Sequence, residues 1–180
     1  MSDTIIDKLY SDNASILEYL FNAKEISMFS DLDDKLKKVL VLSAASFFEA
    51  EIKSIIETFV SQSSSGNAAL VALVKNKAIE RQFHTYFAWE TRSANTFFGI
   101  FGEAFSASCK AEVKGDRALV IAVEAFLELG NTRNRLVHLN FAAFPVEKTS
   151  RELYSLYRTA RQFIEFIRKK LLDEKGRPRP

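Results

Sequence analysis

Apolar residues recur along most of the chain at intervals of three and four, which is the spacing that places side chains on one face of an α-helix. The clearest stripe predicts a long helix near residues 31–62. Its members are Val41, Ala45, Phe48, Ile52, Ile55 and Phe59. Ser30 or Asp31 would serve as the N-cap, because both side chains accept hydrogen bonds from the first turn. We expect the stripe to face the core or a subunit interface.

Two further helices are predicted in the second half of the chain. Asp116 is a suitable N-cap for a helix that runs past Gly130. Thr149 and Glu152 have the spacing of a capping box, which predicts the start of a closing helix. The apolar stripe of that closing helix is Leu153, Tyr157, Ala160, Ile164, Ile167 and Leu171. Both helices should bury one face.

The pattern as a whole predicts an all-α protein. Five or six helical segments are separated by short connections, and no segment alternates convincingly as a strand would. We interpret residues 1–180 as a single helical domain, with residues 173–180 as a frayed basic tail. The expected architecture is a helical bundle built around the long helix.

Composition limits the kinds of partner. The 25 basic and 23 acidic residues nearly cancel, so the chain lacks the global positive field of a non-specific nucleic-acid coat. Any contact with nucleic acid must therefore be local. The single cysteine, Cys109, cannot form an internal disulfide. No signal-peptide pattern follows Met1, so together with the single cysteine the sequence favours a location in the reducing cytoplasm.

Metal and membrane sites are not predicted. Two histidines and one cysteine are too few for a zinc site built from these residues, although carboxylates could still hold magnesium. We predict neither a resident metal nor a cofactor. No run approaches the roughly 18 consecutive apolar residues that a membrane span needs. We therefore expect no membrane segment.

The segment from Arg133 to His138 is the strongest candidate for chemistry, because basic, amide and imidazole groups are concentrated there. At about 100° per residue, Asn134 and His138 share a helical face, whereas Arg133 lies about 140° from His138. Three arrangements could bring Arg133 to His138. The helix could loosen at Gly130 and Asn131, the long Arg133 side chain could fold back, or a second subunit could supply the other half.

This segment resembles the motif of the HEPN superfamily of small helical proteins. Its hallmark is an arginine, often followed by a polar residue, and a histidine four to six residues further on. Arg133, Asn134 and His138 match that pattern. The helix with Ser46-Phe47-Phe48-Glu49 and the Phe101-Gly102 segment look like prokaryotic members. Members commonly have a glycine after the histidine, whereas this chain has Leu139 and Asn140.

The resemblance implies metal-independent cleavage of RNA. In that reaction the ribose 2′-hydroxyl attacks the adjacent phosphate and leaves a cyclic phosphate and a free 5′-hydroxyl. His138 would transfer protons, Arg133 would stabilise the charged phosphorane, and Asn134 would orient His138 or the phosphate. A positioned acid or base of this kind contributes about 100- to 10,000-fold. Arginine suits the second role because it binds phosphate oxygens and keeps its charge.

Three other residues enter this prediction. Arg135 could add affinity for RNA, or it could be an ordinary exposed arginine. Glu49 and Lys53 resemble an accessory Glu-x-x-x-Lys motif of some members, although Ser54 stands where a second basic residue would follow. The same pair is also the ordinary i, i+4 ion pair of a solvated helical face. We expect a homodimeric ribonuclease, acting as a toxin or phage-defence effector with a neutralising antitoxin or defence-system partner protein.

Two alternatives compete with this interpretation. In one, His138 is a packed or capping histidine and Arg133 forms a surface ion pair. In the other, the chain is a catalytically silent helical module that binds RNA, nucleotide or a partner protein. His84, the second histidine, is assigned to the core or the surface, and Cys109 is interpreted as a packed thiol.

Overall fold

Three of the long helices begin at side chains that accept hydrogen bonds from the first backbone N–H groups. The computed structural model describes residues 3–173. Within them, Thr4 and Thr149 each form a capping box, and Asp116 accepts from the N–H groups of Ala118 and Leu119 at 2.8 and 3.2 Å. The caps predicted at Asp116 and Thr149 are thus confirmed.

The described residues are helical, with no β-strand and one isolated antiparallel bridge between Ala88 and Ser93. The α-helices are α1 (Ile5–Asn22), α2 (Ile26–Ser63), α3 (Ala68–Val74), α4 (Phe83–Tyr86), α5 (Asn95–Gly99), α6 (Glu103–Gly115), α7 (Arg117–His138) and α8 (Ser150–Leu172). A π-helical turn, Lys75–Ile79, follows α3. The all-α class is confirmed. The predicted number of five or six helices is not confirmed, because the described residues form eight α-helices. Three of these eight have seven residues or fewer.

The long helix α2 starts earlier than predicted. It begins at Ile26 rather than near residue 31, so Ser30 and Asp31 lie inside the helix and neither is its N-cap. The reason is the hairpin with α1, in which the rings of Phe21 and Phe29 pack edge to face at 5.9 Å. Asp31 instead pairs with Lys35 one turn later, at 2.5 Å. Tertiary packing therefore extends the helix beyond its best capping residue.

The core lies where α8 packs against α7 and α2, with α1 covering α2. All six residues of the predicted α8 stripe are at most 3% exposed, as its amphipathic spacing implied. In the α2 stripe, Val41, Phe48, Ile52 and Ile55 are equally buried. Ala45 and Phe59 are only half-buried. The edge of α2 that carries Ala45 is therefore free to line a cavity.

Two local features fix the ends of helices near the site. Gly102 has a φ of 95°, a conformation that favours glycine, and it separates α5 from α6. After α7, Lys38 is only 6% exposed, and its Nζ donates to the carbonyl of Ala142 at 3.0 Å while pairing with Asp34. Lys38 thus fastens the segment that follows His138 to α2.

A buried carboxylate joins the first helix to the last. Asp7, only 7% exposed, accepts hydrogen bonds from the Thr4 backbone and the Tyr154 hydroxyl, both at 2.7 Å, and it pairs with Arg161 at 3.5 Å. Burial by itself would raise the pKa of Asp7. The hydrogen bonds from Thr4 and Tyr154 and the charge of Arg161 outweigh it and lower the pKa below its usual value of 3.8.

Within the described residues, no helix has both the length and the apolar character to cross a membrane. The predicted frayed tail at residues 173–180 lies outside the described residues except for Asp173. The interpretation of the chain as one domain stays a prediction.

We expect Asp7→Asn to lower the free energy of unfolding by about 1–3 kcal/mol at neutral pH, because the half-buried Arg161 and Tyr154 lose their charged acceptor. A carboxyl with a lowered pKa stabilises the fold above its unfolded pKa and loses that effect as pH falls through its folded pKa. The difference between the two proteins in urea unfolding should therefore shrink below about pH 4. A difference that persists undiminished at pH 3 would contradict this role.

Candidate active site

The predicted motif occupies the last turns of α7. Phe126, Gly130, Asn134 and His138 follow one another at intervals of four, so they lie on adjacent turns of one face. Arg133 and Asn134 are half-buried, whereas Arg135 and His138 are exposed. The helix is continuous from Arg117 to His138. The local loosening considered at Gly130 and Asn131 therefore does not occur.

Gly130 has a different role, which is to receive the side chain of Trp89. A Cβ atom at residue 130 would lie 2.0 Å from Cζ3 of the indole, far inside van der Waals contact. Only a glycine lets the Trp89 ring rest on the backbone of α7 at this point. The ring also packs against Phe126, with centroids 5.8 Å apart. Residues 83–89 are thereby held against the face of α7 that carries the motif.

Trp89 also determines where His84 lies. The indole Nε1 donates to the backbone carbonyl of His84 at 3.0 Å. The intervening turn is fastened by Phe87, which is 4% exposed and stacks on Phe97 at 5.0 Å. His84 is exposed, and its side chain lies beside Arg133 and Asn134. Of the core and surface positions considered for His84, the structure shows the surface, and it places this residue beside the motif, which the sequence did not predict.

A groove of about 690 Å³ brings these residues together. It runs between the end of α7 and the segment around Trp89. All four polar members of the motif line it, together with the second histidine. The charged, amide and imidazole side chains along it are His84, Glu90, Asn131, Arg133, Asn134, Arg135 and His138. Arg133 and His138 thus border one groove within one chain, although they lie on different faces of α7.

Arg133 and His138 do not make the contacts expected of a surface ion pair and of a packed or capping histidine. Arg133 donates from Nη1 to Oδ1 of Asn134 at 3.2 Å. It has no carboxylate partner among residues 3–173, so it is not the surface ion pair considered above. His138 ends α7 exposed, and its side chain makes no hydrogen bond with any described residue. It is neither packed nor capping. Asn134 orients Arg133 rather than His138.

Arg135 lies on the other border of the groove. Its guanidinium carbon is 5.2 Å from the centre of the Phe144 ring, a cation–π contact that steadies it against the segment after α7. Asn140 shapes this segment through two hydrogen bonds. Its side-chain oxygen accepts from the N–H of Ala142 at 3.1 Å, and its backbone carbonyl accepts from the N–H of Phe144 at 2.8 Å. Arg135 is exposed and has no carboxylate partner within residues 3–173. Its guanidinium group is therefore accessible to a phosphate.

Glu49 and Lys53 behave differently from each other. Their ion pair forms at 2.6 Å, as the i, i+4 spacing implied. Glu49 also lines a second cavity, of about 240 Å³, between α2, α7 and the segment around Trp89. Lys53 is not among the residues that line it. The structure thus places Glu49 in the same cavity as residues of the motif. Lys53 pairs with Glu49 but does not line that cavity.

Arg81, like His84, was not predicted from the sequence to lie beside the motif. It lines this cavity and has a left-handed conformation with a φ of 61°, just after the π-helical turn. Such a φ is uncommon outside glycine and marks a fixed local bend. No spacing rule joins Arg81 or His84 to residues on α7. The one local hint was the mixture of aromatic and polar residues before Trp89.

Cys109 lies away from this site and is fully buried. Burial raises the pKa of its thiol to about 11, so it stays protonated at neutral pH and is a poor nucleophile. The interpretation as a packed thiol agrees with this environment. Within the described part of the chain, no three His, Cys, Asp or Glu side chains come together in a group that could ligate a metal.

Comparison with known proteins gives one family. The RiboL-PSP-HEPN family model matches residues 7–173. This range includes all eight helices except for the first two residues of α1. Searches of the curated proteins and of the solved structures gave no match. The family is generally associated with ribonuclease or nucleotide-related activity. Since the match covers nearly the whole chain and includes the groove, this protein belongs to the RiboL-PSP-HEPN family of the HEPN superfamily.

Proposed function

We propose that this protein is a metal-independent endoribonuclease that cleaves RNA at the groove beside α7. One observation carries the proposal. Arg133, Asn134 and His138 border a single groove, where Arg133 is held by Asn134 and has no carboxylate partner in the described chain. An uncompensated, half-buried guanidinium is well suited to bind a phosphate.

The reaction follows from these groups. The 2′-hydroxyl oxygen attacks the adjacent phosphorus, its proton passes to a base, and the bond from phosphorus to the 5′-oxygen breaks as that oxygen receives a proton from an acid. The products are a 2′,3′-cyclic phosphate and a 5′-hydroxyl. Arg133 stabilises the negative charge on the phosphorane, and His138 transfers one of the two protons. Arg135 contacts a neighbouring phosphate.

The second proton-transfer group has two possible sources. His84 lines the same groove in the same chain. Alternatively, His138 of a second copy lies opposite, as in a composite dimer site. Exposed apolar side chains border the motif and support a dimer here, since Val137, Leu139 and Phe141 are 51, 54 and 47% exposed. We propose a homodimer in which the two grooves form one cleft.

The cellular role follows as a further part of the proposal. A cytoplasmic ribonuclease of this kind would act as a toxin or phage-defence effector and would require a neutralising or activating partner protein. The second candidate function is binding of RNA or nucleotide without turnover. The aromatic lining of the cavity beside the groove favours it, because bases stack on aromatic rings.

We expect His138→Ala to slow RNA cleavage about 100- to 10,000-fold, because a proton-transfer group is lost. Arg133→Ala should slow it about 100- to 1,000-fold through loss of charge stabilisation. Products would be followed on a labelled RNA with and without chelator, and on the same RNA with 2′-deoxyribose at the cleaved position. Arg117→Ala is the matched control, since Arg117 is exposed at the opposite end of α7.

If the wild-type protein leaves RNA intact under all conditions, the proposal that it is a ribonuclease is refuted. Cleavage of the 2′-deoxy substrate, or cleavage abolished by chelator, would refute the proposed mechanism. Binding of RNA by wild type and its loss in Arg133→Ala, without any turnover, would support the binding module instead.

We expect His84→Ala to slow cleavage at least about 100-fold and to remove one limb of the pH–rate profile, if the acid and base come from one chain. The fold should survive, because Trp89 bonds to the backbone of His84 and not to its side chain. The adjacent exposed Gln82→Ala is the control. An unchanged profile in His84→Ala would assign the second proton to another chain.

We expect light scattering to give the mass of two 20.4 kDa chains. Leu139→Asp should produce a monomer with reduced cleavage, because it places a charge in the proposed interface. Leu73→Asp is the control, since Leu73 on α3 is similarly exposed, at 56%, but lies away from the motif. A wild-type monomer that cleaves RNA at full rate would exclude the composite site.

A further inference from the structure

The smaller cavity adjoins the groove at the position where a substrate would extend from the reacting phosphate. The two spaces share four lining residues, namely His84, Trp89, Arg133 and Asn134. A molecule with its phosphate on Arg133 can therefore place a second group in the cavity. At about 240 Å³ the cavity is smaller than most ligand pockets, which span roughly 300–1,000 Å³. That size suits one planar ring system.

Four aromatic side chains form one part of the cavity wall. These are the side chains of Phe48, Phe83, Trp89 and Phe126, and Gly130, on whose backbone the Trp89 ring rests, also lines the cavity. The rings of Phe83 and Trp89 pack against each other, with centroids 5.8 Å apart and a tilt of 49°. Aromatic walls of this kind bind the faces of nucleobases, whose edges need polar partners.

Two polar side chains supply complementary hydrogen-bonding groups at this wall. Glu49 is half-buried, and one of its carboxylate oxygens, Oε1, accepts from Lys53 at 2.6 Å. Its other oxygen keeps its acceptor capacity, because a carboxylate offers about four lone-pair sites. The Oδ1 atom of Asn134 accepts from Arg133, which leaves the amide N–H groups as donors. The cavity therefore presents an acceptor and a donor together.

We propose that this cavity binds a guanine base next to the cleaved phosphate, an inference that rests on the proposed ribonuclease function. Guanine presents two adjacent donors, N1–H and the N2 amino group, to a carboxylate, and its O6 accepts from an amide or a guanidinium. Uracil offers one donor between two carbonyl oxygens. Adenine and cytosine present an acceptor nitrogen beside their amino group, which an ionised carboxylate repels. Glu49 is thus the specificity-determining residue.

Trp89 provides a direct test, since it is the only tryptophan in the sequence and lines the cavity. Guanosine, adenosine, cytidine and uridine monophosphates would be titrated against its fluorescence. We expect saturable quenching by the guanosine nucleotide at about ten-fold lower concentration than by the others. Glu49→Gln should weaken guanosine binding about 10- to 100-fold, as expected for loss of a hydrogen bond to a charged group.

Glu57→Gln is the matched control, because Glu57 lies on the same helix and pairs with Lys75 at 3.1 Å outside the cavity. It should bind all four nucleotides as wild type does. No quenching by any nucleotide, or equal quenching by all four that Glu49→Gln leaves unchanged, would overturn the guanine site.

Mapping the cleaved positions in an RNA of mixed sequence separates this proposal from the ribonuclease proposal. We expect cleavage next to guanosine in wild type and loss of that preference in Glu49→Gln. Nucleotide binding without any cleavage would reject only the ribonuclease. Cleavage without base preference, unaltered in Glu49→Gln, would reject only the guanine site.

Discussion

The contact between the Trp89 indole and the backbone of Gly130 is the interaction on which the site depends. It holds the irregular segment around α4 against α7, and it directs the carbonyl of His84 to the indole N–H at 3.0 Å. The groove and the cavity share Trp89 as a lining residue, and Gly130 lines the cavity. A methyl group at residue 130 would displace the ring and both spaces with it. The glycine is therefore a packing requirement and not a break in the helix.

The buried charged groups are paired, whereas three arginines that line the groove or the cavity are not paired with carboxylates. Lys38 and Asp7 are buried, and each is satisfied by partners on another part of the chain. By contrast, Arg81, Arg133 and Arg135 have no carboxylate partner among the described residues, although the chain carries 23 acidic residues. The formal net charge is only +2, and these three arginines line the groove or the adjoining cavity. A phosphate is the natural counterion for such a group of arginines.

Features that depend on residues close together in the sequence were predicted correctly, whereas features that depend on tertiary packing were not. The caps at Asp116 and Thr149 and the buried stripe of α8 were predicted correctly, since each depends on residues within a few turns. The start of α2 was misplaced because the packing of Phe21 on Phe29 extends the helix past Ser30. The number of helices was also too small. Short helices such as α4 are stabilised by surrounding aromatic contacts and not by their own periodicity.

The sequence by itself determined the all-α class and the proximity of Arg133, Asn134 and His138, because residues within two turns of one helix cannot lie far apart. The tertiary structure alone decided that His84, Arg81 and Glu49 reach the same place, since they lie on separate elements joined only through packing. It also decided that Asn134 holds Arg133 and that Glu49 faces a cavity while Lys53 does not. Helical spacing specifies neighbours along one helix. The aromatic contacts around Trp89 and Phe126 specify which helices and turns meet.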